Sequence, residues 1–118
     1  AKAIEQHNHP DSCLIIDCLT LWLSNLLHDA EGTPDPLAHI EPQIAAFEQA
    51  LIHSKGRILI VSNEVGLGII PLGELTRRFV DEAGRLNQRL AKLADRVLFV
   101  AAGLHLVLKE SPERTCHD

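Results

Sequence analysis

The sequence predicts an α/β protein with a mainly parallel sheet and an antiparallel C-terminal strand. Three observations carry that expectation. The runs CLIID from Cys13, RILIVSN from Arg57 and RVLFVAAG from Arg96 are short, continuously apolar and rich in β-branched residues, so they read as buried strands. Stretches with apolar residues at helical spacing separate them. Buried strands that alternate with helices fit a parallel sheet covered by those helices. A chain of 118 residues is long enough for one ordinary domain.

The elements follow in order. AKAIEQ reads as the end of a helix, and the chain contains no Met, so its start is not expected to be the natural start of a domain. CLIID is the first strand. In CLTLWLSNLLHD, Leu19, Trp22, Leu23, Leu26 and Leu27 recur at helical spacing. Leu21 adds apolar surface elsewhere, which predicts a mostly buried helix. AEGTPDP is a loop by its Gly and Pro content. A second helix is expected from about Glu41, with Pro42 in its first turn and Ile44, Phe47 and Leu51 on one face. HSKG closes it at Gly56, and RILIVSN is the second strand. Pro71 then opens a long helix with Leu72, Leu75, Phe79, Ala83, Leu86, Leu90 and Leu93 on one stripe. Its other face carries Arg77, Arg78, Asp81, Glu82, Arg85, Arg89 and Lys92, in pairs such as Arg77–Asp81. RVLFVAAG is the third strand. LHLVLK alternates and reads as a fourth, less buried one. A Gly-containing turn alone joins these two, so they should be antiparallel. ESPERTCHD is a polar tail, expected to fray.

Composition excludes several classes of function. The net charge of −5 gives no global basic field for nucleic acid or an anionic membrane surface. Aromatic residues total 3%, with no Tyr, which leaves little for base-stacking platforms. No apolar run approaches the roughly 18 residues that span a bilayer. The polar opening AKAIEQHNHPDS lacks signal-peptide character. Cys13, Cys18 and Cys116 form no CxxC pair, which fits reduced thiols and a cytoplasmic protein. Cys13 and Cys18 bracket an apolar strand, where Cys behaves as a small hydrophobe. The seven histidines include no HxxxH and no zinc-like spacing with cysteine, so a structural metal is not expected from them.

Ligands of open parallel sheets bind outside the carboxyl ends of the strands. Two polar clusters sit at such ends. Asp17, with Thr20 three residues on, ends the first strand, and Asn63 and Glu64 end the second. If the strands share a sheet, both clusters face one crevice. A carboxylate after an apolar strand suits a Mg²⁺-associated acid, because Mg²⁺ takes one or two carboxylates beside phosphates and water. On the strand-Asp pattern alone, the cap of the following helix is the reading favoured for Asp17 over a ligand. Glu64 beside the Asn63 amide can polarise a hydroxyl or water, or hold a nucleotide. Gly66 and Gly68 would let the loop approach a ligand closely, or would only serve a plain turn. The basic face of the long helix reads as a solvated face or a subunit contact, with phosphate binding by Arg77 as the other option.

Four stretches together resemble one family: LIIDCLTLWLSNLL, VSNEVGLGIIP, LTRRFVDEAGRLNQRLAKLADRV and VAAGLHLVLK. The family is the bifunctional adenosylcobinamide kinase/adenosylcobinamide-phosphate guanylyltransferase of cobalamin biosynthesis. The resemblance runs from Leu14 to Lys109, and NEVGxGIxP followed by LxRxFxDxxGxxNQ is its most specific part. It implies a RecA-like P-loop fold, of which residues 1–118 are the C-terminal part of a single nucleotide-binding domain. It implies phosphorylation of the aminopropanol hydroxyl of adenosylcobinamide with ATP or GTP. GMP transfer from GTP through a GMP-histidine intermediate follows, in an enzyme that assembles as a trimer. By position, Asp17 matches the acidic residue that contacts nucleotide; Asp17 is also the expected Mg²⁺ ligand, and Thr20 and Arg77 are the further nucleotide-binding candidates. Asn63 and Glu64 match the NEVG motif and are the expected catalytic pair. Arg77, Asp81, Gly84, Asn87 and Gln88 match the long-helix motif, whose role is left open between interface and site.

The chain departs from the family in one respect. It contains no GxxxxGK[ST] run, whose backbone N–H groups cradle phosphates and whose Lys neutralises them. His7 and His9 lie too close to the first strand to match the guanylylated histidine. The expectation is therefore a chain that alone catalyses neither reaction. Lacking the central P-loop strand, it should expose apolar strand edges and form an oligomer or pair with a second fragment. Two rivals stand beside this. One is a non-catalytic α/β oligomerisation module derived from a P-loop NTPase, and the other is a different RecA-like ATPase.

Overall fold

A computed structural model describes residues 2–7, 9–64 and 74–111. The elements are α1 (Lys2–His7), β1 (Cys13–Asp17), α2 (Leu19–Asp29), α3 (Pro36–Ile52), β2 (Arg57–Val61), α4 (Glu74–Leu93), β3 (Arg96–Ala101) and β4 (Leu104–Glu110). The chain divides into two compact units, Ala1–Gly84 and Arg85–Asp118. The strands form two separate two-stranded sheets, one in each unit. The parallel first pair and the antiparallel last pair agree with the sequence reading.

In the first unit, β1 and β2 run parallel, with Cys13 opposite Arg57 and Asp17 opposite Val61. Their connection passes through α2 and α3, as a parallel crossover must. Exposure alternates along both strands. Leu14, Ile16, Ile58 and Ile60 are half-buried on one face, whereas Ile15, Leu59 and Val61 on the other are 67%, 49% and 45% exposed. This corrects the expectation of strands buried on both faces. A continuous apolar run looks the same in sequence whether one face or two are covered.

The core of this unit is helical. Leu19, Leu23, Leu26 and Leu27 of α2 are buried, as are Ile40, Ile44, Phe47 and Ala50 of α3 and Ile4 of α1. Trp22 and Phe47 join α2 to α3, with ring centroids 4.9 Å apart and tilted by 55°. That geometry adds roughly 0.5–1.5 kcal/mol beyond the area buried. Leu21 is 62% exposed, and Ser24, Asn25, His28 and Asp29 are exposed with it, so α2 is amphipathic and not mostly buried. The helix at α3 begins five residues earlier than expected from Glu41. Asp35 is its N-cap, accepting from the Ala38 N–H at 3.2 Å, and Pro36 takes the first position. Pro42 therefore lies inside the helix. It removes one backbone donor, and the carbonyl it strands belongs to Ala38, which is exposed to water.

A short turn delivers the chain from α1 to β1. Ser12 Oγ donates to the His9 carbonyl at 2.7 Å and accepts from the His9 N–H at 3.0 Å. The Arg57 N–H donates to the Ser12 carbonyl at 3.0 Å and starts the ladder. A Cβ on Gly56 would stand 2.4 Å from both the His9 carbonyl oxygen and Ser12 Oγ, so only glycine fits there.

In the second unit, α4 ends at Leu93 and a hairpin follows. The stripe residues Leu86 and Leu90 are buried, while Leu93 is 39% exposed. The opening of the long helix at Pro71 and Leu72, and the loop glycines Gly66 and Gly68, lie outside the described residues. The strands β3 and β4 pair antiparallel with Ala101 opposite Leu104 and a bulge near Leu98. The two turn residues, Ala102 and Gly103, have φ of 54° and 75°, the left-handed values a two-residue hairpin demands. Every residue of β4 is exposed, whereas Val97 and Phe99 of β3 are half-buried, so β4 is the less buried of the two as expected.

Candidate nucleotide site at the strand ends

The parallel pairing puts the carboxyl ends of β1 and β2 side by side. Asp17 is the last residue of β1 and pairs in register with Val61, the last of β2. It lies on the same exposed face as Ile15, Leu59 and Val61. Ser62, Asn63 and Glu64 follow β2 and are exposed. The two clusters singled out in the sequence therefore meet at one end of one sheet.

A side chain ties them together. The Asn63 backbone N–H donates to Thr20 Oγ1 at 2.9 Å, across 43 residues of sequence. Thr20 Oγ1 also lies 3.5 Å from Ser62 Oγ. The Asn63 side-chain amide donates to Cys18 Sγ at 3.8 Å. Thr20 occupies the first turn of α2, and Cys18 is the N-cap residue, with extended backbone angles. The Asp17–Cys18 peptide bond is cis.

Two sequence readings change here. Asp17 is not the cap of α2, because Cys18 holds that position and closes no side-chain capping bond. Cys18 is not simply a small core hydrophobe. Its thiol is held below the ordinary thiol range, chiefly by the Thr20 side chain and then by the backbone amides of Leu21 and Thr20. Partial burial and the negative charge of Asp17 oppose that shift. The amides act electrostatically at the positive end of the helix, as expected for sulfur at a helix N-terminus. Cys18 and Ser62 are the members of this cluster that the sequence reading missed. The available signal was a Cys directly after a strand-end carboxylate and at the start of a helix. Cys13 is also exposed, at the far end of β1.

The donor set suits a weakly caged hard cation. Among the described residues no group of three or more His, Cys, Asp or Glu side chains converges as a metal cage. Asp17 offers one exposed carboxylate at the sheet end. That fits Mg²⁺, which is held by one or two carboxylates while phosphates and water fill its other positions. Arg77 is exposed on the first half of α4. A shallow, open cavity of roughly 260 Å³ lies elsewhere, lined by Ile4, Glu5, Ala46, Gln49, Ala50 and His53. None of the strand-end residues lines it, so it does not compete as the site of this chemistry. Among the described residues no helix is long and apolar enough to cross a membrane.

Known proteins match the chain closely. The family described as cobinamide kinase / cobinamide phosphate guanyltransferase matches residues 1–108. The bifunctional adenosylcobalamin biosynthesis protein CobP of Pseudomonas aeruginosa is 49% identical over 112 residues, covering 95% of this chain and 62% of that protein. The bifunctional adenosylcobalamin biosynthesis protein CobU of Salmonella typhimurium is 39% identical over 108 residues, covering 85% of this chain and 60% of that protein. The Escherichia coli protein of the same description is 37% identical, with 86% and 60% covered. The chain thus spans about three fifths of the length of the curated relatives it matches.

Proposed function

The chain belongs to the cobinamide kinase / cobinamide phosphate guanyltransferase family, and from that premise we propose what the complete protein does. It phosphorylates adenosylcobinamide with ATP or GTP, and it transfers GMP from GTP to the resulting adenosylcobinamide phosphate. The observation that carries this reading is the Asn63–Thr20 hydrogen bond, which joins the Asp17 and Asn63–Glu64 clusters at one sheet end. In this proposal the fold is RecA-like. Residues 1–118 belong to its C-terminal part, and the phosphate-cradling loop comes from family sequence that this chain does not span.

The roles follow from the chemistry of each group. Asp17 holds Mg²⁺ and faces the nucleotide; the ion, when bound, neutralises phosphate charge. The Glu64 carboxylate accepts the proton of the attacking hydroxyl as the hydroxyl oxygen bonds to the γ-phosphorus, the bond from that phosphorus to the bridging oxygen breaks, and the nucleoside diphosphate leaves. The Asn63 amide orients Glu64 and the acceptor. Arg77 offers a guanidinium to phosphate oxygens. The reading is supported by the family membership, by the position of these residues at the strand ends, and by their exposure there.

The exposed apolar residues of β4, among them Leu104, Leu106 and Leu108 at 74%, 61% and 60%, support assembly with further copies, as a trimer in this proposal. They are also what a non-catalytic assembly module would display. The free thiols Cys13 and Cys18 support a cytoplasmic setting.

The deciding experiment uses the complete gene product. Kinase and guanylyltransferase turnover are measured separately in wild type, Glu64→Gln and Asp17→Asn. Glu64→Gln should lower kinase kcat by roughly 10²–10⁴-fold, the usual size of a lost general base. Asp17→Asn should weaken both reactions. A wild-type protein without turnover on adenosylcobinamide, or two fully active variants, would falsify the proposal and leave the assembly module.

A further inference from the structure

The Thr20 hydroxyl spends its hydrogen-bonding capacity inside the protein. It accepts from the Asn63 N–H at 2.9 Å and shares a hydrogen bond with Ser62 Oγ at 3.5 Å. The Asn63 N–H needs that acceptor. Strand β2 ends at Val61, so the N–H of Asn63 has no ladder partner in β1. Asn63 is held a second time through its side chain, which donates to Cys18 Sγ at 3.8 Å. The anchors come from the N-cap and the first turn of α2, and both grip the residue immediately before Glu64.

We propose that Thr20 is a positioning residue: it fixes Asn63, and through it Glu64, with the Cys18 sulfur as second anchor, and does not itself contact the nucleotide. This rests on the function proposed above and narrows the part Thr20 plays in it. A hydroxyl engaged with the Asn63 N–H and with Ser62 Oγ serves the strand end rather than a phosphate. Its removal should therefore disturb catalysis at Glu64 and leave nucleotide affinity largely intact.

The test compares Thr20→Val with Thr20→Ser in the complete gene product, by two readouts. In the kinase assay, Thr20→Val should lower kcat by about tenfold, the usual size for one positioning hydrogen bond, with nucleotide KM within about twofold. Thr20→Ser, which keeps the hydroxyl, should restore most of it. The second readout needs no activity. Hydrogen exchange of the Asn63 backbone amide should be faster in Thr20→Val and close to the wild-type rate in Thr20→Ser. If Thr20→Val does not fold, Thr20→Ala, a good helix former at the same position, carries the same comparison. A raised nucleotide KM at unchanged kcat would make Thr20 a nucleotide ligand and overturn the proposal. An unchanged exchange rate in Thr20→Val would overturn it as well, because the hydroxyl would then not hold the Asn63 N–H. If wild type shows no kinase turnover while Asn63 amide exchange quickens in Thr20→Val as expected, the functional reading fails and the Thr20 anchor stands.

Discussion

The two strand pairs use the same kinds of residue to opposite ends. In the parallel pair β1–β2, the connection runs away through two helices, and the chain leaves β2 without turning back on its neighbour. Polar groups past the last ladder bond are therefore held by side chains, and Asp17, Asn63 and Glu64 stay at the surface. In the antiparallel pair β3–β4, a two-residue turn closes the sheet locally. Its polar groups close structural contacts. Arg96 pairs with Glu110 at 2.8 Å between register partners. Lys109 Nζ donates to the carbonyls of Ala91 and Lys92 at 2.9 and 3.1 Å, and the Ser111 N–H to the Asp95 carbonyl at 2.8 Å. A parallel strand end keeps its polar groups at the surface, where ligands of such sheets bind, whereas this hairpin uses its own to hold its unit together.

The sharpest break falls at the other end of the parallel pair. Gly56→Ala would drive a methyl group against the His9 carbonyl and the Ser12 hydroxyl. Backbone cannot yield there as a flexible side chain could, so the turn and the first ladder bond from Arg57 should shift. We expect a loss of about 2–3 kcal/mol, at the upper end of overpacking costs, read from the denaturant midpoint. An unchanged midpoint would show that the α1–β1 turn does not sit against β2 in solution. Substitutions in the hairpin should cost far less, because its contacts are exposed.

These features were unequally legible in the sequence. CLIID and RILIV announced β1 and β2 by continuous apolar character, and the strand-end rule placed Asp17, Asn63 and Glu64 together. The Ala102–Gly103 turn was legible because a two-residue Gly-containing connection leaves little choice but a hairpin. The start of α3 was not. Asp35–Pro36 and Pro42 both offer a proline near a helix start, and the Gly and Pro of AEGTPDP gave it the look of loop to its end. Gly56 looked like a helix terminator, and the close approach that demands it involves residues over 40 positions away. The chemistry of Cys18 was hidden for the same reason. Its partner Asn63 lies 45 residues on, and no local spacing names such a pair.

A smaller effect tests the hairpin side of the comparison. Lys109 places its ammonium on the last turn of α4, where helix carbonyls lack partners and the dipole is negative. Lys109→Met keeps most of the apolar stem and removes the charge. The expected loss is about 0.5–1 kcal/mol at low ionic strength, shrinking as salt screens the interaction. A loss that does not change with salt would assign the effect to packing of the stem.

The smallest effect should be a gain. Ala102 holds φ of 54°, a left-handed conformation that costs a residue with a Cβ roughly 1 kcal/mol. Gly103 beside it accepts φ of 75° without that cost. Ala102→Asn puts a residue that tolerates the left-handed region at the first turn position, ahead of glycine, which is the preferred pair for this turn. Stability should rise by about 0.5–1 kcal/mol, seen as a higher denaturant midpoint. Kinase turnover should match wild type, because the turn and the strand ends belong to separate compact units. A gain in stability with altered turnover would couple the hairpin to the strand ends and remove the division of labour between the two strand pairs. A loss of stability would mean that the turn in solution does not hold Ala102 at positive φ.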